Sequence, residues 1–152
     1  RGKGAVLSAG PGDDRLYLGG AGSRAAAGEG DDYIAAATPS VTIDGGPGID
    51  TVKAALTMGA LDLAVLDARN IEVVDTRNAA RTTVRAAPAD VLRLSGGNRL
   101  RIFAETADSI QLSGFSRQSA GQTPDGFTVT YQGQAKGETV EVAVITDVRT
   151  GR

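Results

Sequence analysis

The chain has 152 residues and a formal net charge of −2, with neither cysteine nor histidine. Those two absences remove disulfides, thiolate zinc sites, Ser-His and Cys-His catalysis and His-ligated metal centres, leaving oxygen-ligand chemistry of the kind that suits a hard cation. No Lys/Arg run suited to neutralising phosphates is present, so nucleic acid is not an expected partner, and no apolar stretch approaches the ~20 residues that span a bilayer.

Glycine divides the chain. Of 21 glycines, 12 fall at or before Gly48, yet the same stretch holds Leu16, Ile34 and Ile43, with Val52 just beyond it. Such a mixture predicts short strands separated by turns rather than a flexible linker. With three Phe, three Tyr and no Trp, the core is expected to be aliphatic and thin.

Three segments superimpose: Gly10-Pro11-Gly12-Asp13-Asp14-Arg15-Leu16, Gly28-Glu29-Gly30-Asp31-Asp32-Tyr33-Ile34 and Gly46-Pro47-Gly48-Ile49-Asp50-Thr51-Val52. Each reads Gly-x-Gly-x-Asp-x-apolar, and the step is 18 residues both times. Residues 18 apart are therefore expected to stack, with Asp14, Asp32 and Asp50 along one edge. The intervening Gly19-Gly20-Ala21-Gly22-Ser23-Arg24-Ala25-Ala26 keeps the glycines but has Arg24 at the aspartate position, and around Pro39 the glycine pattern is lost. The opposite edge should thus carry no carboxylate ladder. Leu16, Ile34, Val52, Ala26 and Ile43 are expected to point inward. Asp13 and Asp31 admit two readings: a carboxylate pair for acid–base work, or solvated turn positions beside a ligand.

Gly45-Gly46-Pro47-Gly48-Ile49-Asp50-Thr51-Val52-Lys53 matches in full the nonapeptide G-G-x-G-x-D-x-U-x. On these residues the chain resembles the RTX (repeats-in-toxin) calcium-binding proteins. That resemblance implies a parallel β-roll in which ions sit between the turns of adjacent coils. Their ligands would be the side chains of Asp14, Asp32 and Asp50 and the backbone carbonyls of Gly10, Gly12, Gly28, Gly30, Gly46 and Gly48. About two Ca2+ would fit, one between the turns of Asp14 and Asp32 and one between those of Asp32 and Asp50. Without the ion, stacked carboxylates repel, and a thin core does not offset the ordering entropy of so many glycines.

Beyond Thr57 short β-rich runs follow: Leu63-Ala64-Val65, Ile71 to Val74, Thr82 to Val84, Leu100 to Phe103, Ser109 to Leu112, Phe127 to Tyr131 and Thr139 to Val148. Pro88 to Leu94, with an acid near its start and Gly96 beyond its end, predicts one short helix. The segment Gln118 to Asp125 reads as a long turn. The expected fold is all-β: a short calcium-binding parallel β-roll over residues 1–56, then a β-rich capping and secretion-associated unit with one short helix over 57–152.

Asn70-Ile71-Glu72-Val73-Val74-Asp75, Ala87-Pro88-Ala89-Asp90-Val91-Leu92, Asn98 to Ile102, Asp108 to Phe115 and Thr146-Asp147-Val148 occur in an order that resembles the C-terminal region of large bacterial adhesins exported by type I systems. The resemblance implies a secreted, cell-surface, non-catalytic module that meets the type I secretion machinery and folds outside the cell on binding calcium. Adhesion to a host or other surface would belong to upstream domains. Two alternatives remain: a calcium-dependent self-assembling surface-layer or fibril protein, and the carrier module of an RTX enzyme whose catalytic part lies elsewhere.

Overall fold

A computed structural model describes residues 4–54, 59–77, 81–105 and 108–146. Its first strands alternate between two sheets: β1 (Val6–Ser8), β2 (Arg15–Leu18), β3 (Arg24–Ala26), β4 (Tyr33–Ala36), β5 (Thr42–Asp44) and β6 (Thr51–Ala54). β1 pairs with β3, β3 with β5, β2 with β4 and β4 with β6, all in parallel, and residues 18 apart lie side by side: Arg15, Tyr33 and Thr51 form one row, and Leu16, Ile34 and Val52 the next. The chain thus winds in two-sided coils whose turns stack at either edge. Short strands with a polar residue at every other position can close this way because alternate side chains face opposite sides of a strand.

Ile34, Val52, Leu18, Ala36 and Ala54 from one sheet are buried against Ala25, Ala27, Val41, Ile43 and Ala68 from the other. The larger of these stabilise the coil by about 1.5–3 kcal/mol each. Leu16 is half-buried because no coil lies above it among the described residues. Ala26 points outward, contrary to expectation, and Ala25 and Ala27 take the inward places. Leu16, Ala25 and Ile34 follow one another at an even nine-residue step, so the inward place falls one residue before the one that counting from Gly20 and Gly22 gives, and a shift of one residue exchanges a strand's faces.

The parallel sheet runs on past residue 56. After β7 (Ala60–Asp62), β8 (Asp67–Arg69) pairs with β5, and β9 (Val73–Asp75) pairs with β6. β10 (Thr83–Ala86), α1 (Pro88–Ser95), β11 (Arg99–Ala104) and β12 (Ser109–Leu112) follow. β7, β10 and β12 make a third parallel sheet, while β11 extends the row of β2, β4, β6 and β9. β15 (Glu138–Thr146) joins β11 in parallel, and the antiparallel strands β13 (Phe115–Thr123) and β14 (Gly126–Ala135) close that sheet. The fold is mostly β with one short helix. Among the described residues, no helix is long and apolar enough to cross a membrane.

Three expectations need correction. Leu63-Ala64-Val65 is a turn, with Val65 70% exposed, and the neighbouring strand is Ala60–Asp62. Gln118 to Asp125 is no long turn, since most of it belongs to β13. The Ile71 run is narrower than expected, with its strand confined to Val73–Asp75. Asp147 and Val148 of the closing motif, and the 56/57 boundary, lie outside the described residues.

The helix forms where expected. Pro88 occupies its first turn, the Asp90 carboxylate accepts the Ala87 N–H at 2.9 Å, and Gly96 ends it at φ 68°. Its Pro88 ring packs on Gly133 of β14, where a Cβ would meet Gly114 Oand the Pro88 ring at 2.5 and 2.6 Å. Gly133→Ala should therefore push α1 off the closing hairpin and cost about 1–3 kcal/mol, read as a shift in the urea midpoint of unfolding.

Candidate metal centre

The three repeats place their glycines in two columns. Gly10, Gly28 and Gly46 stack, as do Gly12, Gly30 and Gly48, and all six have positive φ. At Gly48, φ is 131° and a Cβ would fall on the Gly30 carbonyl oxygen, so only glycine permits both the turn and the approach. Gly30 repeats this one coil back over the Gly12 carbonyl. The carbonyl oxygens of Gly10, Gly12, Gly28 and Gly30 face the glycine one coil further on, and among the described residues none of them accepts a turn hydrogen bond.

Asp14, Asp32 and Asp50 form the expected ladder, in a form the spacing alone does not reveal. The Asp14 N–H donates to Asp32 Oδ1 at 2.7 Å, and the Asp32 N–H donates to Asp50 Oδ1 at 2.8 Å. Asp32 and Asp50 thereby each clamp the turn one coil back with one oxygen. The other oxygen, Oδ2 of Asp14, Asp32 and Asp50, is buried and accepts no hydrogen bond among the described residues. Asp32 is 2% exposed and Asp50 0%. A buried ionised carboxylate with an unused oxygen is costly unless a proton or a cation meets it.

Asp13 and Asp31 build a second ladder of opposite sense. The Asp31 N–H donates to Asp13 Oδ1 and the Ile49 N–H to Asp31 Oδ1, both at 2.8 Å. Asp13 and Asp31 are exposed turn residues, in line with the solvated-turn reading, and their side chains also hold the backbone of the next turn. The second ladder stops at Ile49, which has no carboxylate.

Two further residues were missed. At the opposite edge the buried Ser23, and not Arg24, stands at the aspartate's place: the Ala5 N–H donates to Ser23 Oγ at 3.1 Å, the same clamp made with a neutral group. Arg24 starts β3 and is exposed. At the far end of the acidic ladder, the Asp50 N–H donates to Glu72 Oε2 at 2.9 Å, although Glu72 follows by 22 residues rather than 18.

Among the described residues no three acidic side chains converge on one point. The carboxylates run in file, so a cation held here would draw on glycine carbonyls as well as on the aspartates. The oxygens without partners and the glycine carbonyls that face the next coil are the donor set that a hard cation such as Ca2+ takes, and in that respect the residues fit the ion. Comparison of the chain with family models, with curated proteins and with solved structures finds no match.

Burial pushes the Asp50 carboxyl up to about 6, and although the Asp32 N–H works against this, the charges of Asp32, Glu72 and Asp31 add to it. Burial also raises Glu72, with the Asp31 charge adding to the effect against the hydrogen bond from Asp50. A carboxyl raised above its unfolded value of 3.8 favours the folded state while protonated. That contribution is full below about 3.8 and is lost as pH climbs through about 6. Elsewhere burial of Asp44 and of Asp75 is outweighed, by bonds from Asn70 and Arg69 in one case and from Arg77 in the other. Their pKa values are lowered, so they act in the opposite sense and their contribution is lost on acidification below the usual carboxylate range. In the presence of a chelator, folding should therefore be favoured at pH 5 over pH 7 by about 1 kcal/mol, read as a stronger far-UV β signal. Asp50→Asn, whose amide oxygen still accepts the Asp32 N–H, should flatten that difference.

Proposed function

We propose that the chain is a non-catalytic calcium-binding module whose glycine–aspartate edge takes about two Ca2+ and which orders on binding them. The observation that carries this reading is the file of three buried aspartate oxygens without partners, set beside glycine carbonyls that accept no turn hydrogen bond. The complete nonapeptide at Gly45 to Lys53 supports the same reading, as an RTX β-roll. Asp14 and Asp32 would serve one ion and Asp32 and Asp50 the other, with carbonyls from the glycine columns completing each shell. Ion binding to an edge that is costly when metal-free couples binding to folding.

The order of motifs from Asn70 to Val148 supports placing this module in the C-terminal part of a type I secreted bacterial adhesin. Such a chain would stay unfolded where calcium is scarce, pass the type I machinery, and fold outside the cell, where upstream domains meet their surface. The open outer edges of β2 and β13 favour one other reading, calcium-dependent joining of copies edge to edge. Sedimentation at millimolar calcium separates the two, since a monomer supports the folding module and a growing polymer the assembly.

Titrating the metal-free chain with Ca2+ should give a cooperative gain of far-UV β signal that Mg2+ does not reproduce, because Mg2+ demands a near-ideal octahedron. Asp32→Asn should weaken this transition more than Asp14→Asn, since Asp32 serves both ions. No response to calcium, or equal losses from the two variants, would count against the reading.

A further inference from the structure

The turn stack does not end where the glycine repeats end. Val73 pairs with Thr51, so the six-residue turn from Gly45 to Asp50 is overlaid by only Asn70, Ile71 and Glu72. This short closure still continues the ladder, with Glu72 in the place an aspartate holds in the other coils.

Asn70 has φ 57°, and its side-chain amide donates to Asp44 Oδ1 at 2.8 Å, while Arg69 pairs with the other Asp44 oxygen at 2.9 Å. These bonds press the Asn70 carbonyl against Gly45. A Cβ built on Gly45 would fall on both the Asn70 carbonyl oxygen and Asp50 Oδ2, the latter at 2.6 Å, so the two oxygens approach each other beside this Cα as only glycine permits. Asp50 is fully buried, and its Oδ2 has no donor among the described residues. Two acceptor oxygens held this close repel when no N–H or O–H serves the carboxylate oxygen, and a cation beside them relieves the repulsion.

We propose that the stack closes on a further cation site, made of Asp50 Oδ2, the Asn70 carbonyl and the Glu72 carboxylate, which takes a calcium-like divalent ion. This rests on the calcium reading above and adds a site outside the glycine repeats. Its two carboxylates and one carbonyl are hard oxygen donors, and their irregular arrangement suits the flexible shell of Ca2+ better than the octahedron of Mg2+. Asp50, like Asp32, then serves two ions, and the last coil is tied by metal to the strands that follow it.

Native mass spectrometry of the whole chain in calcium counts the ions. The wild type should bind about three, and Glu72→Gln, whose amide oxygen still accepts the Asp50 N–H, should lose one while keeping its calcium-induced β signal. Asp50→Asn should lose two where Asp14→Asn loses one, which holds the proposal to account if Glu72→Gln fails to fold. A wild-type count of two, or a count unchanged by Glu72→Gln, overturns this site and leaves the calcium reading standing. Absence of bound calcium overturns both.

Discussion

Asp32 and Asp50 are each required to do two things with one carboxylate. One oxygen receives the N–H of the turn one coil back, which fixes the carboxylate inside the edge and leaves its second oxygen buried without a partner among the described residues. A charge-assisted hydrogen bond contributes about 1.5–3 kcal/mol, whereas burying a carboxylate costs several, and here the charges follow one another in file. The clamp alone does not offset that cost. A proton or a cation is needed to balance the edge, and the raised Asp50 pKa is the metal-free expression of the same imbalance.

The opposite edge provides an internal comparison. There Ser23 makes the equivalent clamp with a hydroxyl, and Val41, one coil on, is apolar and buried. A neutral donor–acceptor satisfies the turn without charge, so this edge closes by itself. The coil therefore has one edge whose clamp is neutral and one whose buried carboxylate oxygens lack a partner among the described residues. Had stability alone shaped the acidic edge, serine would serve in place of aspartate. That carboxylates stand there instead is the physical argument for reading the edge as a binding device.

What was legible in the sequence was whatever the stacking constraint writes directly into residue types. Glycine at positive φ, aspartate two residues on and an aliphatic residue two further recur at 18 because all three act on the same turn, and the rows of Leu16, Ile34 and Val52 follow. Where the constraint loosened, the reading slipped. Arg24 was aligned by counting from the glycines, but the even nine-residue step from Asp14 to Asp32 falls on Ser23. Glu72 escaped because the closing turn shrinks to three residues and the acid changes type. β13 escaped because Ser, Gln and Gly on an exposed edge carry no apolar alternation, its pairing being imposed by β14.

The far end of the stack differs in kind from its beginning. Toward Gly10 the turns are held by clamps that leave charge unbalanced, whereas at Asn70 the Asp44 carboxylate is met by Arg69 and by the Asn70 amide, bonds that need no ion. From there β9, β11 and β15 continue the same sheet over a core that includes Val74, Ile102 and Val142, and α1 and the antiparallel hairpin close it. In a stack whose units touch only their neighbours, order spreads from whichever unit is stable alone. Under the calcium reading proposed above, the C-terminal strands would form that unit, and each glycine coil added toward the N-terminus would depend on the one after it and on the ion between them. On the proposed type I route, with export C-terminus first, those strands would emerge before the coils proposed to take calcium, so the order of emergence and the order of folding would agree.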